Sequence, residues 1–162
     1  MVIIGIDPGL NKLGFGLIKK DGKDFEVLDY GVIRPPSRYS FQNKRGYLHN
    51  ELKKIFEKFN PEITVIEEIY VGKNLKVALK VGQVIGIAIG ISFEKNTKIF
   101  LISPREVKKN IVGKGGATKE QVKFMVEKLL NIKDIKNFDE SDGLAIALSY
   151  LYLEKNDLLH IR

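Results

Sequence analysis

The chain opens Met1-Val2-Ile3-Ile4-Gly5-Ile6-Asp7-Pro8-Gly9 and continues, after a short gap, Leu13-Gly14-Phe15-Gly16-Leu17-Ile18. Val2 to Ile6 is a brief apolar, β-branched run, the pattern of a strand buried on both faces. Asp7 is the first charge after it, and Pro8-Gly9 break the ladder, so the carboxylate falls where backbone pairing stops and a ligand can approach. A strand-ending Asp can also simply begin a turn. Other carboxylates converging on Asp7 decide between the two.

Outward from this stretch, residues 13–20 and 25–33 read as two more strands, joined at Asp21-Gly22, a turn pair that suits the twist of a hairpin. Arg34-Pro35-Pro36-Ser37 is a loop, since adjacent prolines remove ladder donors and exclude helix. Residues 41–59 follow as a helix, with Leu48, Leu52, Ile55, Phe56 and Phe59 on one face and Asn60-Pro61 as its stop. Residues 63–66 are a fourth, apolar strand, and Glu67 follows it as Asp7 follows the first. Parallel neighbours would bring both acids to one sheet edge, where α/β folds bind ligands. Glu68 faces the other way if the strand continues, a surface position.

Residues 75–93 read as a long helix, apolar around most of its circumference, with Gly82, Gly86 and Gly90 forming a smooth groove for a neighbouring helix. Packing against the sheet is one account of that stripe. Because it is wider than one core requires, part of it is expected to form a homodimer interface. Residues 98–102 are a fifth strand. Ser103-Pro104-Arg105-Glu106 then starts a short helix bearing Lys108, and Thr118-Lys119-Glu120-Gln121 caps another after the glycine-rich loop 112–116. That loop, free helix-start amides, Lys114 and Lys119 make a candidate phosphate cradle, against the simpler account of an exposed loop with surface lysines. The last helix opens at Phe138-Asp139-Glu140-Ser141-Asp142-Gly143. Asp139 and Asp142, three apart, share one side of it. Helix capping is the competing account of both, while Gly143 would let this helix lie close to the strand bearing Asp7.

Composition narrows the field. At 162 residues, 44% hydrophobic and 29% charged, the chain fits one globular domain spanning 1–162. Its 27 basic against 20 acidic residues give +7, which points to a polyanionic partner, nucleic acid first. Absence of cysteine excludes disulfides and thiolate metal sites and favours an intracellular, cytoplasmic setting. His49 and His160 are too few for an imidazole cluster, so any metal would be held by oxygen. No signal-peptide pattern is present, and the most apolar stretch, residues 84–93, falls short of the roughly 18 to 20 residues that span a bilayer, so no membrane is expected.

Four acids thus stand out: Asp7, Glu67, Asp139 and Asp142. Two carboxylates about 4 Å apart repel by roughly 4 kcal/mol at an effective dielectric near 20, so a cluster of four needs cations to stay ionised. Hard oxygen donors suit Mg²⁺ or Mn²⁺, and a pair of such ions is an apparatus for in-line phosphodiester hydrolysis.

The order of elements resembles the ribonuclease H-like α/β fold, a five-stranded mixed sheet flanked by helices. The words Ile4-Gly5-Ile6-Asp7-Pro8-Gly9, Ile66-Glu67-Glu68-Ile69-Tyr70, Gly113 to Gln121 and Asp139-Glu140-Ser141-Asp142-Gly143-Leu144-Ala145 look like the RuvC family of bacterial Holliday-junction resolvases. The resemblance covers about residues 1–150; the tail 152–162 matches nothing in it. It implies that the four acids bind metal, Mg²⁺ as a pair in each subunit with Mn²⁺ able to substitute. It implies two catalytic lysines at Lys108 and Lys119 and a base-stacking aromatic at Tyr70. It also implies a homodimer that cuts two opposed strands of a four-way junction, leaves 5′-phosphate and 3′-hydroxyl ends, and works with the RuvA and RuvB branch-migration proteins. Lys73, Lys76, Lys80 and Lys114 are candidate contacts to the DNA arms. The paired Glu67-Glu68 is a local variation that leaves open which glutamate binds metal. Rival readings are a ribonuclease H-like nuclease of ribosomal RNA precursors, an actin-like ATPase or sugar kinase, for which the chain lacks a second lobe, and a non-catalytic junction-binding module.

Overall fold

A computed structural model describes residues 1–69 and 74–157. Its elements run β1 (Val2–Asp7), β2 (Leu13–Asp21), β3 (Asp24–Ile33), α1 (Phe41–Phe59), β4 (Ile63–Glu67), α2 (Leu75–Glu94), β5 (Lys98–Ile102), α3 (Pro104–Val112), α4 (Lys119–Leu130) and α5 (Phe138–Asp157). The sheet order is β3-β2-β1-β4-β5, with β1 antiparallel to β2 and parallel to β4, and β4 parallel to β5. This is the expected mixed sheet. The hairpin turn lies one residue later than expected: Asp21 pairs with Asp24, so Gly22-Lys23 form the two-residue loop. Gly22 has φ +59°, as the first central position of such a loop demands.

β1 is central, and its alternation divides the interior. Ile4 and Ile6 face α1 and α2 with Leu48, Leu52, Phe56, Val84 and Ala88, whereas Ile3 faces α3, α4 and α5 with Val107, Val126 and Ile146. α5 comes unusually close to the sheet because glycines line both sides of the contact. A Cβ on Gly5 would overlap the backbone of Gly143 and Ala147, and one on Gly143 would overlap the backbone carbon of Phe15. Gly14 does the same one turn earlier, where a Cβ would stand 2.6 Å from the Asp139 carbonyl oxygen. The first turn of α5 is thereby seated over the end of β1.

α2 turns its glycine stripe the opposite way. A Cβ on Gly82, Gly86 or Gly90 would meet nothing within 4 Å, so the stripe faces outward rather than into the sheet. Leu75, Val77 and Leu79 are exposed beside it. Counting only residues 84–93 understated this helix. Among the described residues it is the one long and apolar enough, by length and composition, to cross a membrane, although Val84, Ala88 and Ile91 are buried against the sheet.

Candidate metal centre

Pairing of Ile6 with Ile66 in parallel register sets the ends of β1 and β4 side by side, so Asp7 and Glu67 emerge at one sheet edge. Asp139 and Asp142 descend on the same edge from α5. One ligand oxygen from each of Asp7, Asp139 and Asp142 falls within 4.8 Å of the others, a spacing that fits a shared divalent ion. Glu67 is not part of that tight set but is close enough to feel Asp7 and Asp142 electrostatically.

Capping does not account for the two α5 acids. Asn137 performs it, its side-chain oxygen accepting from the Glu140 amide at 3.0 Å while its amide donates to the Glu140 carboxylate at 2.9 Å. Asp139 and Asp142 are left to face the cluster.

Crowding is registered in the titration of these groups. Burial first, then the charge of Asp142, pushes the Asp7 carboxyl up to about 6, against the pull of Lys119. Burial, then Asp7 and Asp142, pushes Glu67 up to about 8, with Lys119 and Lys108 opposing. Asp142 is raised by burial in spite of its bond to Lys119. Burial alone would lower the Lys119 ammonium, but the hydrogen bond and charge of Asp142, helped by Asp7 and Asp139, hold it above its ordinary value.

These shifts have a signed consequence. A carboxyl raised in the folded state contributes stability that is complete below its unfolded pKa and lost as pH rises through the folded one. Metal-free protein is therefore expected to lose thermal stability as pH rises from about 4 through about 8, first across Asp7 and then across Glu67, and saturating Mg²⁺ should flatten that fall. Melting curves across this range with EDTA or Mg²⁺ check it; a flat profile in EDTA would contradict the crowding, and identical profiles with and without Mg²⁺ would contradict metal binding by these acids.

Among the described residues, three cations contact the acids of α5 directly. Lys119 Nζ donates to Asp142 Oδ2 at 3.1 Å. Lys12 Nζ donates to Asp139 Oδ1 at 2.6 Å, and Arg34 Nη2 reaches Asp139 Oδ2 at 3.5 Å. The sequence reading missed Lys12 and Arg34. A signal for them existed in the β2–β3 hairpin, whose pairing of Leu13 with Ile33 sets the residues just outside it, Lys12 and Arg34, at the same edge as Asp7. Of the other expected residues, Lys108 reaches Glu67 only through its charge, and Lys114 is exposed in the loop before α4. Lys76 and Lys80 are exposed on the first turns of α2, with Lys80 5.4 Å from the Phe41 ring centroid. Glu68 is exposed beside α2. Tyr70 and Lys73 lie outside the described residues.

The family model of crossover junction endodeoxyribonuclease RuvC matches residues 3–150. The chain belongs to the RuvC family. A RuvC from Dictyoglomus thermophilum is 36% identical over 156 residues, 96% of this chain and 99% of that one. Another from Chloroherpeton thalassium is 43% identical over 149 residues, 91% and 80% of the two chains. Among solved structures, Thermus thermophilus RuvC in complex with a Holliday junction substrate superposes with a TM-score of 0.89 at 29% identity, covering 97% of this chain and 96% of that one. The ribonuclease H-like fold expected from the order of elements is thus that of RuvC.

Proposed function

We propose that Asp7, Glu67, Asp139 and Asp142 hold a pair of Mg²⁺ ions, Mn²⁺ substituting, with which a homodimer of this chain incises two opposed strands of a four-way DNA junction. As a RuvC-family crossover junction endodeoxyribonuclease, the chain is a phosphodiester hydrolase that resolves Holliday junctions. The observation that carries the metal reading is the convergence of three carboxylates, within 4.8 Å, at the end of the central strand. When bound, the ions supply a water activated for in-line attack on phosphorus and neutralise charge on the departing 3′ oxygen. Lys119 and Lys108 donate to the non-bridging oxygens of the scissile phosphate and oppose the charge that builds there. Tyr70, in the family's aromatic position, stacks on an unpaired base, a contact worth roughly 1 to 3 kcal/mol. Lys73, Lys76, Lys80 and Lys114 follow the arm phosphates, and the family's partners RuvA and RuvB bring the junction to this cytoplasmic enzyme.

The exposed side of α2 supports the homodimer. Leu75, Leu79, Gly82, Ile69 and Leu101 line a hollow of about 580 Å³ beside the open glycine stripe, an apolar surface that a second α2 would cover. Two subunits related by a twofold axis would present two acidic clusters to opposed strands. Leu79→Glu is expected to shift the sedimentation mass from dimer to monomer and to uncouple the paired cuts; a wild-type chain monomeric at all concentrations would contradict this.

The function is tested by incubating the protein with Mg²⁺ and labelled four-way junction, linear duplex and structured RNA side by side. Symmetric nicks in the junction alone are expected. Preferential cutting of the RNA would favour the RNA-processing alternative.

A further inference from the structure

Asp139 is nearly covered, with 15% of its side chain exposed, yet its two cations stand on the solvent side of it: Lys12 is 52% and Arg34 56% exposed. Both groups are therefore open to a phosphate that approaches Asp139 from solvent. Their placement is built into the fold. A Cβ on Gly9 would overlap the Lys12 carbonyl oxygen, so the turn after β1 is folded back to a degree only glycine permits, and Lys12 starts from a defined point. Arg34 leaves the end of β3 just before the buried Pro35, which restricts its backbone.

We propose that Lys12, with Arg34 beside it, is an exchangeable counter-ion: it holds Asp139 in the metal-free protein, yields that carboxylate to the divalent ion, and turns its ammonium to a phosphate of the junction strand. The inference rests on the metal reading of the acids given above. Several physical features favour it. Exposed ion pairs are weak, equivalent to a factor of about two to five in an equilibrium, so a divalent ion displaces the lysine readily. A freed ammonium on a flexible four-carbon stem, close to a metal-bound phosphodiester, has phosphate oxygens as its nearest new acceptors. In the metal-free pocket Lys12 offsets part of the repulsion among the converging carboxylates, and the same charge is delivered to substrate on loading.

Lys12→Gln, Lys12→Arg and wild-type full-length protein test this by two readouts. In calorimetric titration with Mn²⁺, Lys12→Gln is expected to bind about two- to fivefold more tightly than wild type, because no ion pair has to be broken. In junction binding with Ca²⁺, under conditions where no cut product accumulates, the same variant is expected to bind more weakly and to lower the slope of log affinity against log salt by about 0.9, one phosphate contact. Lys12→Arg, which keeps the charge, should follow wild type in both. Unchanged or weaker Mn²⁺ binding by Lys12→Gln, with wild type binding normally, overturns the exchange, and an unchanged salt slope overturns the phosphate contact. Failure of wild type itself to bind Mn²⁺ overturns the metal reading and this inference with it.

Discussion

Asp7→Asn is expected to abolish strand cleavage while leaving junction affinity intact or slightly improved. Asp7 ends the central strand and contributes one of the three carboxylates that lie within 4.8 Å of each other. An amide of the same shape preserves packing but offers one neutral oxygen in place of an anion, in a site where the ion supplies several kcal/mol of charge stabilisation. Losing even three to four kcal/mol lowers the rate roughly a hundred- to a thousand-fold. Affinity moves the other way because one negative charge is removed from a surface that a polyanion must approach. Single-turnover cleavage with Mg²⁺, beside a gel-shift titration, reads both. A variant that cuts at the wild-type rate would remove Asp7 from the chemistry.

The second large effect concerns how the site is held together. Gly143→Ala is expected to destabilise the protein by about 3 kcal/mol or more and to weaken Mn²⁺ binding in whatever fraction remains folded. The added methyl would overlap the backbone carbon of Phe15 and stand 2.7 Å from the Gly16 nitrogen, so its neighbours are main-chain atoms of a central strand that no rotamer change can clear. Relief requires α5 to lift, and α5 carries Asp139 and Asp142. Gly46→Ala in α1 is the matched control: its Cβ would meet nothing within 4 Å, and helix propensity alone predicts a gain of up to about 1 kcal/mol. Urea denaturation of both variants gives the comparison. Equal stabilities would mean that the helix–sheet contact is looser than the glycines imply.

Much of this arrangement was legible in the residues because local signals agreed with one another. The β-branched run of β1, the Asn60-Pro61 stop and the two capping boxes at Ser103 and Thr118 each follow from short-range chemistry, and the elements begin and end where those signals lie. Acids directly after two apolar strands predicted a shared edge, which the parallel register supplies. The role of Asp139 was less legible. Capping and clustering were equal readings until Asn137 proved to be the cap, although Asn137-x-x-Glu140 has the spacing of a capping pair and could have been read as one. The hairpin sets Lys12 and Arg34 at the Asp7 edge, but their pairing with Asp139, more than a hundred positions away on a helix, is encoded by no local pattern. The direction of the α2 stripe was also hidden, because a helix apolar on nearly every side gives no sign of which face the sheet will take. Only the open space around Gly82, Gly86 and Gly90 reveals it.

All of these expectations depend on the acids at the end of β1 sharing divalent ions. Diffraction from crystals soaked in Mn²⁺, recorded at the manganese absorption edge, tests that directly. Anomalous density between the carboxylates of Asp7, Asp139 and Asp142, with Glu67 at its border, is the predicted result. Manganese bound elsewhere, with Lys12 and Lys119 still seated on their carboxylates, would contradict it.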